Sequence, residues 1–287
     1  MTAAPPFSRR GALAGLAASG AALAGEATAL VASHGAASPA AAAQPATPPL
    51  GGVCRLTPQS VEGPYYFDPR LLRTDITEGL PGVPLRLALR VVEGAECQPM
   101  PGARVEIWHA DALGRYSGYE QQGDAGVSTL GATFLRGAQI TDSHGEVRFS
   151  TLWPGWYPGR TPHIHFKVFL TTRLMLTGQC YLPDALSEFI YRSVEPYAGR
   201  GRRDTINNTD FILASSGVEG SFLAVQEAPD HYLASLTIAV SRGGPPPLDP
   251  VLRDPPPGPP PGPPPGGMVP PRPRGIIWAD AALVPRP

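Results

Sequence analysis

Short segments in which apolar and polar residues alternate recur through the middle of the chain. Residues 85–92, 103–108 and 146–152 alternate in this way, and turns rich in glycine, proline or aspartate separate them. Successive side chains of a β-strand point to opposite faces, so the pattern is typical of strands with one face in a core. A helix is predicted over residues 184–197. The sequence therefore predicts an all-β, antiparallel β-sandwich with long loops and one short helix.

The two ends of the 287-residue chain differ in composition from this middle. Residues 1–33 place Arg9 and Arg10 before a run rich in alanine, glycine and leucine, which is typical of a twin-arginine export signal. Glycines and Glu26 interrupt that run, so no permanent membrane span is expected. We assign residues 34–50 to a flexible linker and residues 51–243 to the β-sandwich domain. An exported chain is expected in the periplasm or outside the cell.

A proline-rich segment follows, from residue 244 to residue 287. Proline runs favour an extended polyproline conformation and bury little surface, which predicts a disordered tail. Contact of this tail with the cell envelope is left open.

Charge and cysteine usage narrow the partners and the compartment. The 23 basic and 24 acidic residues give a formal net charge of −1, and no basic run occurs, so nucleic acid is not an expected partner. An oxidising compartment favours disulfides. We expect Cys54 and Cys97 to pair and Cys180 to remain a buried thiol.

The most informative motif is His163-Ile164-His165 in a β-prone segment. Residues i and i+2 of a strand share a face, so the two imidazoles are expected to lie side by side. A bare His-x-His is more often a pair of surface histidines on an edge strand. Two neutral imidazoles are, however, also half of a metal site.

Two tyrosines nearby suggest which metal such a site would hold. Tyr157 lies in a Pro-Gly-Trp-Tyr-Pro-Gly turn just before the histidines. Tyr116 is the last residue of the segment 105–116, which begins in a predicted strand. Phenol has a pKa near 10, but a strongly Lewis-acidic cation can ionise it, as it ionises a bound thiol. Two anionic phenolate oxygens suit Fe(III) better than zinc or ferrous iron.

In this order the motifs resemble those of the intradiol ring-cleavage dioxygenases, the catechol and protocatechuate 3,4-dioxygenase family. The resemblance covers roughly residues 54–240 and is closest to the secreted, single-domain branch. It implies a prealbumin-like sandwich topology. It is carried by Glu62-Gly63-Pro64-Tyr65-Tyr66, Gly114-Arg115-Tyr116, Thr141-Asp142-Ser143-His144-Gly145, Tyr157, Arg160 and His163-Ile164-His165.

The resemblance also implies a cofactor, a reaction and its site residues. Tyr116 and His163 would be equatorial ligands of a non-haem Fe(III) ion, and Tyr157 and His165 would be its axial ligands. A catechol and O2 would be the substrates, and cleavage between the two hydroxylated carbons would give a muconate. Further residues would have catalytic roles (Arg160, Tyr157 and Gln179) or contact the substrate (Pro64, Tyr65, Trp108 and Tyr181).

Two alternatives and two questions stay open at this point. His109-Ala110-Asp111, with a distant histidine, could form a ferrous site of two histidines and one carboxylate. A non-catalytic β-sandwich binding module of the cell envelope would share the fold but would not need the four ligands. The identity of the catechol is undetermined, and a homo-oligomer is neither predicted nor excluded.

Overall fold

The computed structural model describes residues 54–94, 96–217 and 219–248, together with residue 252. Within these residues the chain forms nine β-strands, two short α-helices and one 3-10 helix. The elements are β1 (Pro84–Glu93), β2 (Gln98–Pro99), β3 (Ala103–Trp108), β4 (Arg136–Ile140), β5 (Glu146–Leu152), β6 (His163–Leu170), β7 (Arg173–Tyr181), α1 (Asp184–Ser193), the 3-10 helix (Asn207–Thr209), α2 (Phe211–Ser216), β8 (Ala224–Glu227) and β9 (Tyr232–Val240).

The strands form two sheets, which confirms an all-β fold with few helices. One sheet has the order β2-β1-β9-β8, with β5 also paired to β1, and the other has the order β4-β3-β6-β7. Strand β1 pairs with β9 in parallel, so the prediction of a purely antiparallel sandwich was wrong at this pair. The chain visits the second sheet between these strands and returns running in the same direction as β1. The prealbumin-like topology stays a prediction.

Both sheets contribute to one apolar core. Alternate residues of β1 are buried, as the sequence pattern predicts, and they pack with Ile164, Phe166 and Val168 of β6. Full burial of one such side chain contributes about 1.5–3 kcal/mol relative to exposure. Because alternate residues of β6 face the core, its opposite face, which carries His163 and His165, points away from the core.

That opposite face of β6 is also covered, because residues 60–68 run across it. The backbone N–H of Ser60 donates to the carbonyl of Thr177 on β7 at 2.9 Å. The side-chain amide of Gln179 donates to the carbonyl of Val61 at 3.0 Å. Both histidines of the motif are consequently buried on a face where a two-layer fold alone would leave them in water.

The helices and the cysteines agree in part with the sequence predictions. Helix α1 is confirmed, although it ends four residues before the predicted boundary at 197. Helix α2 was not predicted. Cys54 and Cys97 form a disulfide, and Cys180 is a buried thiol, as predicted. Among the described residues no helix has both the length and the hydropathy that crossing a bilayer requires.

The described residues bear on only one of the predicted domain boundaries, the one at residue 243. The signal at 1–33, the linker at 34–50 and most of the tail at 244–287 lie outside the described residues. Within the tail, Leu252 is only 6% exposed. The domain boundary at residue 243 stays a prediction, and this buried leucine gives a reason to test it.

Candidate metal centre

The four predicted ligands come together from three parts of the chain. Tyr116 lies in the loop after β3, Tyr157 lies in the turn between β5 and β6, and His163 and His165 lie on β6 itself. Tyr116 and both histidines are buried, and Tyr157 is partly exposed. The structure therefore brings together all four residues that the sequence singles out.

Their donor atoms converge on one small volume. His163 Nε2 lies 3.0 Å from His165 Nε2, 3.2 Å from Tyr157 Oη and 3.4 Å from Tyr116 Oη. Tyr116 Oη also lies 3.2 Å from His165 Nε2. Two imidazole nitrogens and two phenol oxygens thus point at one another at distances that a shared cation can bridge.

Burial keeps both histidines available as neutral donors. It lowers the pKa of His163 and of His165 well below the usual value, and the nearby positive charge of Arg160 acts in the same direction. His163 Nδ1 lies 2.6 Å from the carbonyl of Thr161, to which it donates as the protonated nitrogen. The Nε2 lone pair of His163 is therefore directed at the other three donor atoms.

Burial has the opposite effect on the two phenols. It raises the pKa of Tyr116 and of Tyr157 above the usual value of 10, so neither ionises unaided at neutral pH. A strongly Lewis-acidic cation would reverse this, because it stabilises the phenolate directly. The donor set, two neutral imidazoles and two ionisable phenols, therefore fits a ferric ion better than a softer divalent metal.

The turn that carries Tyr157 is positioned by a close approach at Gly155. The backbone N–H of Gly155 donates to the carbonyl of Asp111 at 3.0 Å. A Cβ at this position would lie 2.4 Å from the carbonyl oxygens of Asp111 and Ala112. Only glycine lets the Tyr157 turn pack directly on the loop that leads to Tyr116.

Asp111 organises the loop that leads to Tyr116. Its carboxylate accepts the backbone N–H groups of Leu113 and Arg115, both at 2.9 Å, and Arg115 Nε at 2.7 Å. His109 is also committed, since its ring nitrogens contact the carbonyl of Ala110 at 2.8 Å and Thr151 Oγ1 at 2.6 Å. In the described part of the chain no three His, Cys, Asp or Glu residues cluster as a metal site. The alternative built on His109 and Asp111 therefore gains no support from the structure.

Arg160 reaches the same region from the Tyr157 turn. Its Nε donates to Asp210 at 2.9 Å and its Nη2 donates to Gln179 Oε1 at 2.5 Å. Tyr181 Oη donates to the same Gln179 oxygen at 3.0 Å. Gln179 and Tyr181 thus hold the guanidinium in place, and the predicted catalytic residues Arg160 and Gln179 form one hydrogen-bonded unit.

The predicted substrate-contacting residues divide into two groups. Tyr65 stacks on Tyr116 with ring centroids 4.6 Å apart. Pro64 lies in the same turn as Tyr65. Trp108 instead stacks on His165, with centroids 4.8 Å apart and rings 9° from parallel. Trp108 and Tyr181 are both buried, so the structure places them behind the ligands as support.

A cavity of about 290 Å³ opens beside the ligands. It is lined by Tyr65, Tyr157, Pro158, Gly114 and residues 121–124. Of the predicted substrate-contacting residues, Tyr65 lies in this lining. The cavity gives a small molecule a route to the exposed side of Tyr157.

Two residues near the site were missed from the sequence. Asp210 is fully buried and binds Arg160, and its position just before an apolar segment is an N-cap signal that could have shown α2. Arg136 is 1% exposed, donates from Nε to Ser117 Oγ at 2.8 Å, and lies 4.2 Å over the ring of Phe67. No local pattern distinguishes Arg136 from a surface arginine at the start of a strand.

Comparison with known proteins agrees with this geometry. A family model described as Dioxygenase matches residues 61–194. Among curated proteins, the catechol 1,2-dioxygenase of Acinetobacter baylyi is 28% identical over 201 residues, which cover 60% of this chain and 60% of that protein. The protocatechuate 3,4-dioxygenase beta chain of Burkholderia cepacia is 41% identical over 80 residues, covering 25% of this chain and 33% of that one. The chain thus spans about 60% of the length of the catechol dioxygenase that it matches.

A solved structure extends the likeness over nearly a whole protein. The intradiol ring-cleavage dioxygenase from Tetranychus urticae is 31% identical, with a TM-score of 0.61. The alignment covers 68% of this chain and 98% of that one. On this likeness in sequence and fold, the chain belongs to the intradiol ring-cleavage dioxygenase family.

Proposed function

We propose that the chain is a non-haem Fe(III) dioxygenase that cleaves a catechol ring between its two hydroxylated carbons with O2. The product would be a muconate-type dicarboxylate. The observation that carries the proposal is the convergence of Tyr116, Tyr157, His163 and His165. His163 Nε2 lies 3.0–3.4 Å from the donor atoms of the other three, and Tyr116 Oη lies 3.2 Å from His165 Nε2. A non-catalytic binding module would have no use for two phenols directed at two buried imidazoles.

These four residues would hold the ferric ion. Bound there, the ion would draw electron density from a catechol and make the ring carbons open to dioxygen. The protein supplies the ligands and their orientation. His163 is oriented by its bond to the Thr161 carbonyl, and His165 by its stack on Trp108.

Tyr157 would accept a proton from the substrate. It is the least buried of the four ligands and it lines the cavity, so an incoming catechol meets it first. A catechol that binds as a dianion must lose two protons. As a phenolate, Tyr157 would take up one of them at Oη.

Arg160 would stabilise the negative charge that develops on the ring. Its guanidinium stays protonated at any working pH and offers a planar face to an aromatic ring. Asp210 and Gln179 fix it before substrate arrives, so no reorganisation is needed during the reaction. Tyr65, stacked on Tyr116, would lie beside the bound ring.

Export by the twin-arginine route to the periplasm or the outside of the cell remains part of the proposal. The Cys54–Cys97 disulfide supports it, because such bonds persist in oxidising compartments. Partners beyond the catechol and O2, including a second copy of the chain or the cell envelope, are left open.

The test is to load the purified chain with Fe(III) and record its spectrum and its oxygen uptake. We expect one iron per chain, a burgundy colour from tyrosinate-to-iron charge transfer, and O2 consumption with at least one catechol. Catechol, protocatechuate, hydroxyquinol and caffeate form a sufficient panel. A colourless protein that binds zinc or copper and consumes no oxygen would contradict the proposal and would favour a binding module.

A further inference from the structure

The cavity beside Tyr157 has room for more than a bare catechol ring. Its volume of about 290 Å³ lies near the lower end of the roughly 300–1,000 Å³ that ligand pockets occupy. Its lining includes Tyr65, Tyr157 and residues 121–124. A ring bound at the metal centre would direct a substituent into this space, so the lining bears on which substituents are accepted.

The lining of the cavity carries negative charge and no positive charge. No Lys, Arg or His is among its residues, and its one carboxylate belongs to Asp124. Asp124 accepts two hydrogen bonds from the guanidinium of Arg200, from Nε at 2.9 Å and from Nη2 at 2.9 Å. The Asp124 side chain is 56% exposed, whereas that of Arg200 is only 5% exposed. The Asp124 carboxylate is therefore exposed to the cavity, whereas the Arg200 guanidinium is buried beneath it.

Arg200 is held firmly in that position. Its Nη1 donates to the carbonyl of Trp156 at 2.5 Å, and its guanidinium lies 4.2 Å over the Trp156 ring. A Cβ built on Gly114, which lines the cavity, would lie 2.9 Å from Arg200 Nη1. The guanidinium is thus directly behind the wall, and Asp124 neutralises it.

The neighbouring arginines are neutralised in the same way. Arg115 is bound to Asp111, and Arg160 is bound to Asp210. A carboxylate that entered the cavity would lose hydration, would find no unpaired cation in the lining, and would face Asp124. Each of these effects disfavours an anionic substituent.

We propose that Asp124 is a specificity-determining residue that, by masking Arg200, excludes catechols bearing a carboxylate and admits neutral ones. The inference rests on the proposed function, since it requires the catechol ring to bind beside Tyr157. It adds the charge class of the substrate and the residue that sets it.

The test compares two ligands of nearly equal shape, protocatechuate and its neutral amide, 3,4-dihydroxybenzamide. Their dissociation constants are measured without oxygen, by calorimetric titration of the iron-loaded full chain. We expect the parent chain to bind the amide about tenfold or more tightly than the acid. Asp124→Asn keeps an acceptor for Arg200 and removes the charge, so the preference should shrink by about fivefold.

Two further variants sharpen the comparison. Arg200→Gln removes the cation and leaves Asp124 unpaired, so the preference for the amide should widen. Glu188→Gln is the matched control, because Glu188, on α1, pairs with Arg203 and does not line the cavity. Its preference should equal that of the parent. Thermal unfolding of each variant establishes that the binding data come from folded protein.

The outcomes separate this inference from the proposed function. If both ligands bind and Asp124→Asn leaves their ratio unchanged, the inference is overturned and the proposed function stands. If the parent chain binds the acid as well as the amide, the inference is likewise overturned. If neither ligand binds to any form of the iron-loaded chain, both fail together.

Discussion

Arg160 and Asp210 form a buried ion pair, with Arg160 Nε donating to Asp210 Oδ2 at 2.9 Å. The same oxygen accepts the backbone N–H of Thr161 at 2.8 Å, and the other carboxylate oxygen accepts that of Leu213 at 2.9 Å. Asp210 therefore caps α2 and anchors Arg160 at once. The position of the guanidinium beside the metal centre depends on a helix fifty residues further along the chain.

Arg160→Leu should leave iron binding intact and strongly reduce turnover. Arg160 contributes no donor atom to the ligand cluster, so the iron colour should persist. Turnover should fall on the order of a hundredfold or more, the scale seen when one preorganised charge-stabilising donor is lost. Steady-state oxygen uptake and the visible spectrum measure the two effects. An Arg160→Leu chain that turned over catechol like the parent would show that Arg160 is an ordinary turn residue.

Asp210→Asn tests whether the anchor matters separately from the charge. Asparagine can still cap α2, but it leaves the Arg160 charge without a counter-ion. We expect a smaller loss of turnover than with Arg160→Leu, and a loss of stability of about 3–5 kcal/mol, typical of breaking a buried ion pair. The exposed pair of Arg242 and Glu93 gives the control, and Arg242→Leu should change neither quantity. If Asp210→Asn changed turnover and stability no more than Arg242→Leu does, Asp210 would have no anchoring role.

Tyr157→Phe should retain more iron than His163→Ala. His163 Nε2 lies within 3.4 Å of the other three donor atoms, whereas Tyr157 lies at the cavity side of the cluster. Tyr157→Phe should still slow catalysis, because the proton acceptor for the catechol is gone. Metal analysis and single-turnover kinetics measure these effects. Tyr232→Phe, on the other sheet, is the control and should match the parent. Parent-like turnover by Tyr157→Phe would refute the assigned role.

Local patterns sufficed for the parts of the fold and site that depend on neighbouring residues. The alternation of β1, the shared face of His163 and His165, and helix α1 are all set within about ten residues. The resemblance then joined Tyr116 and Tyr157 to the histidines across longer distances. This is why the sequence singles out four residues whose donor atoms the structure brings together.

Features that depend on distant segments were missed. The parallel pairing of β1 with β9 joins strands from opposite ends of the domain. The burial of the ligand face of β6 comes from residues 60–68, which carry no strand pattern of their own. Helix α2 has six residues, too few for a helical period to stand out. Asp210 and Asp124 acquire their roles only from arginines far away in the sequence.

The boundary of the domain can be tested by truncation. A chain of residues 50–243 should fold and remain active, since it contains every strand of the described residues and every proposed ligand. A chain of residues 50–253 should be more stable by up to about 1.5–3 kcal/mol, because it keeps the buried Leu252. Denaturant unfolding measures the difference. Leu252→Ala in the longer chain should remove a large part of it. Equal stability of the two chains would place the boundary at residue 243.

His109 should make the stability of the chain depend on pH between about 4 and 6.5. Burial lowers the pKa of His109 to about 4, whereas an unfolded histidine titrates near 6.5. Between these values the unfolded chain binds a proton at this residue and the folded chain does not. The free energy of unfolding should therefore fall as the pH is lowered through this window, with a slope of up to about 1.4 kcal/mol per pH unit from this group.

The variant that isolates this effect is His109→Gln, whose side-chain oxygen can still accept from Thr151. Because other groups titrate in the same window, the informative quantity is the difference in slope between the variant and the parent. His109→Gln should lower the slope, and His144→Gln, at an exposed turn, should not. Unfolding free energies from denaturant titrations at pH 7, 6, 5 and 4 supply the slopes. If His109→Gln and the parent chain lose stability in parallel, His109 takes up its proton equally in both states and its burial has no such consequence.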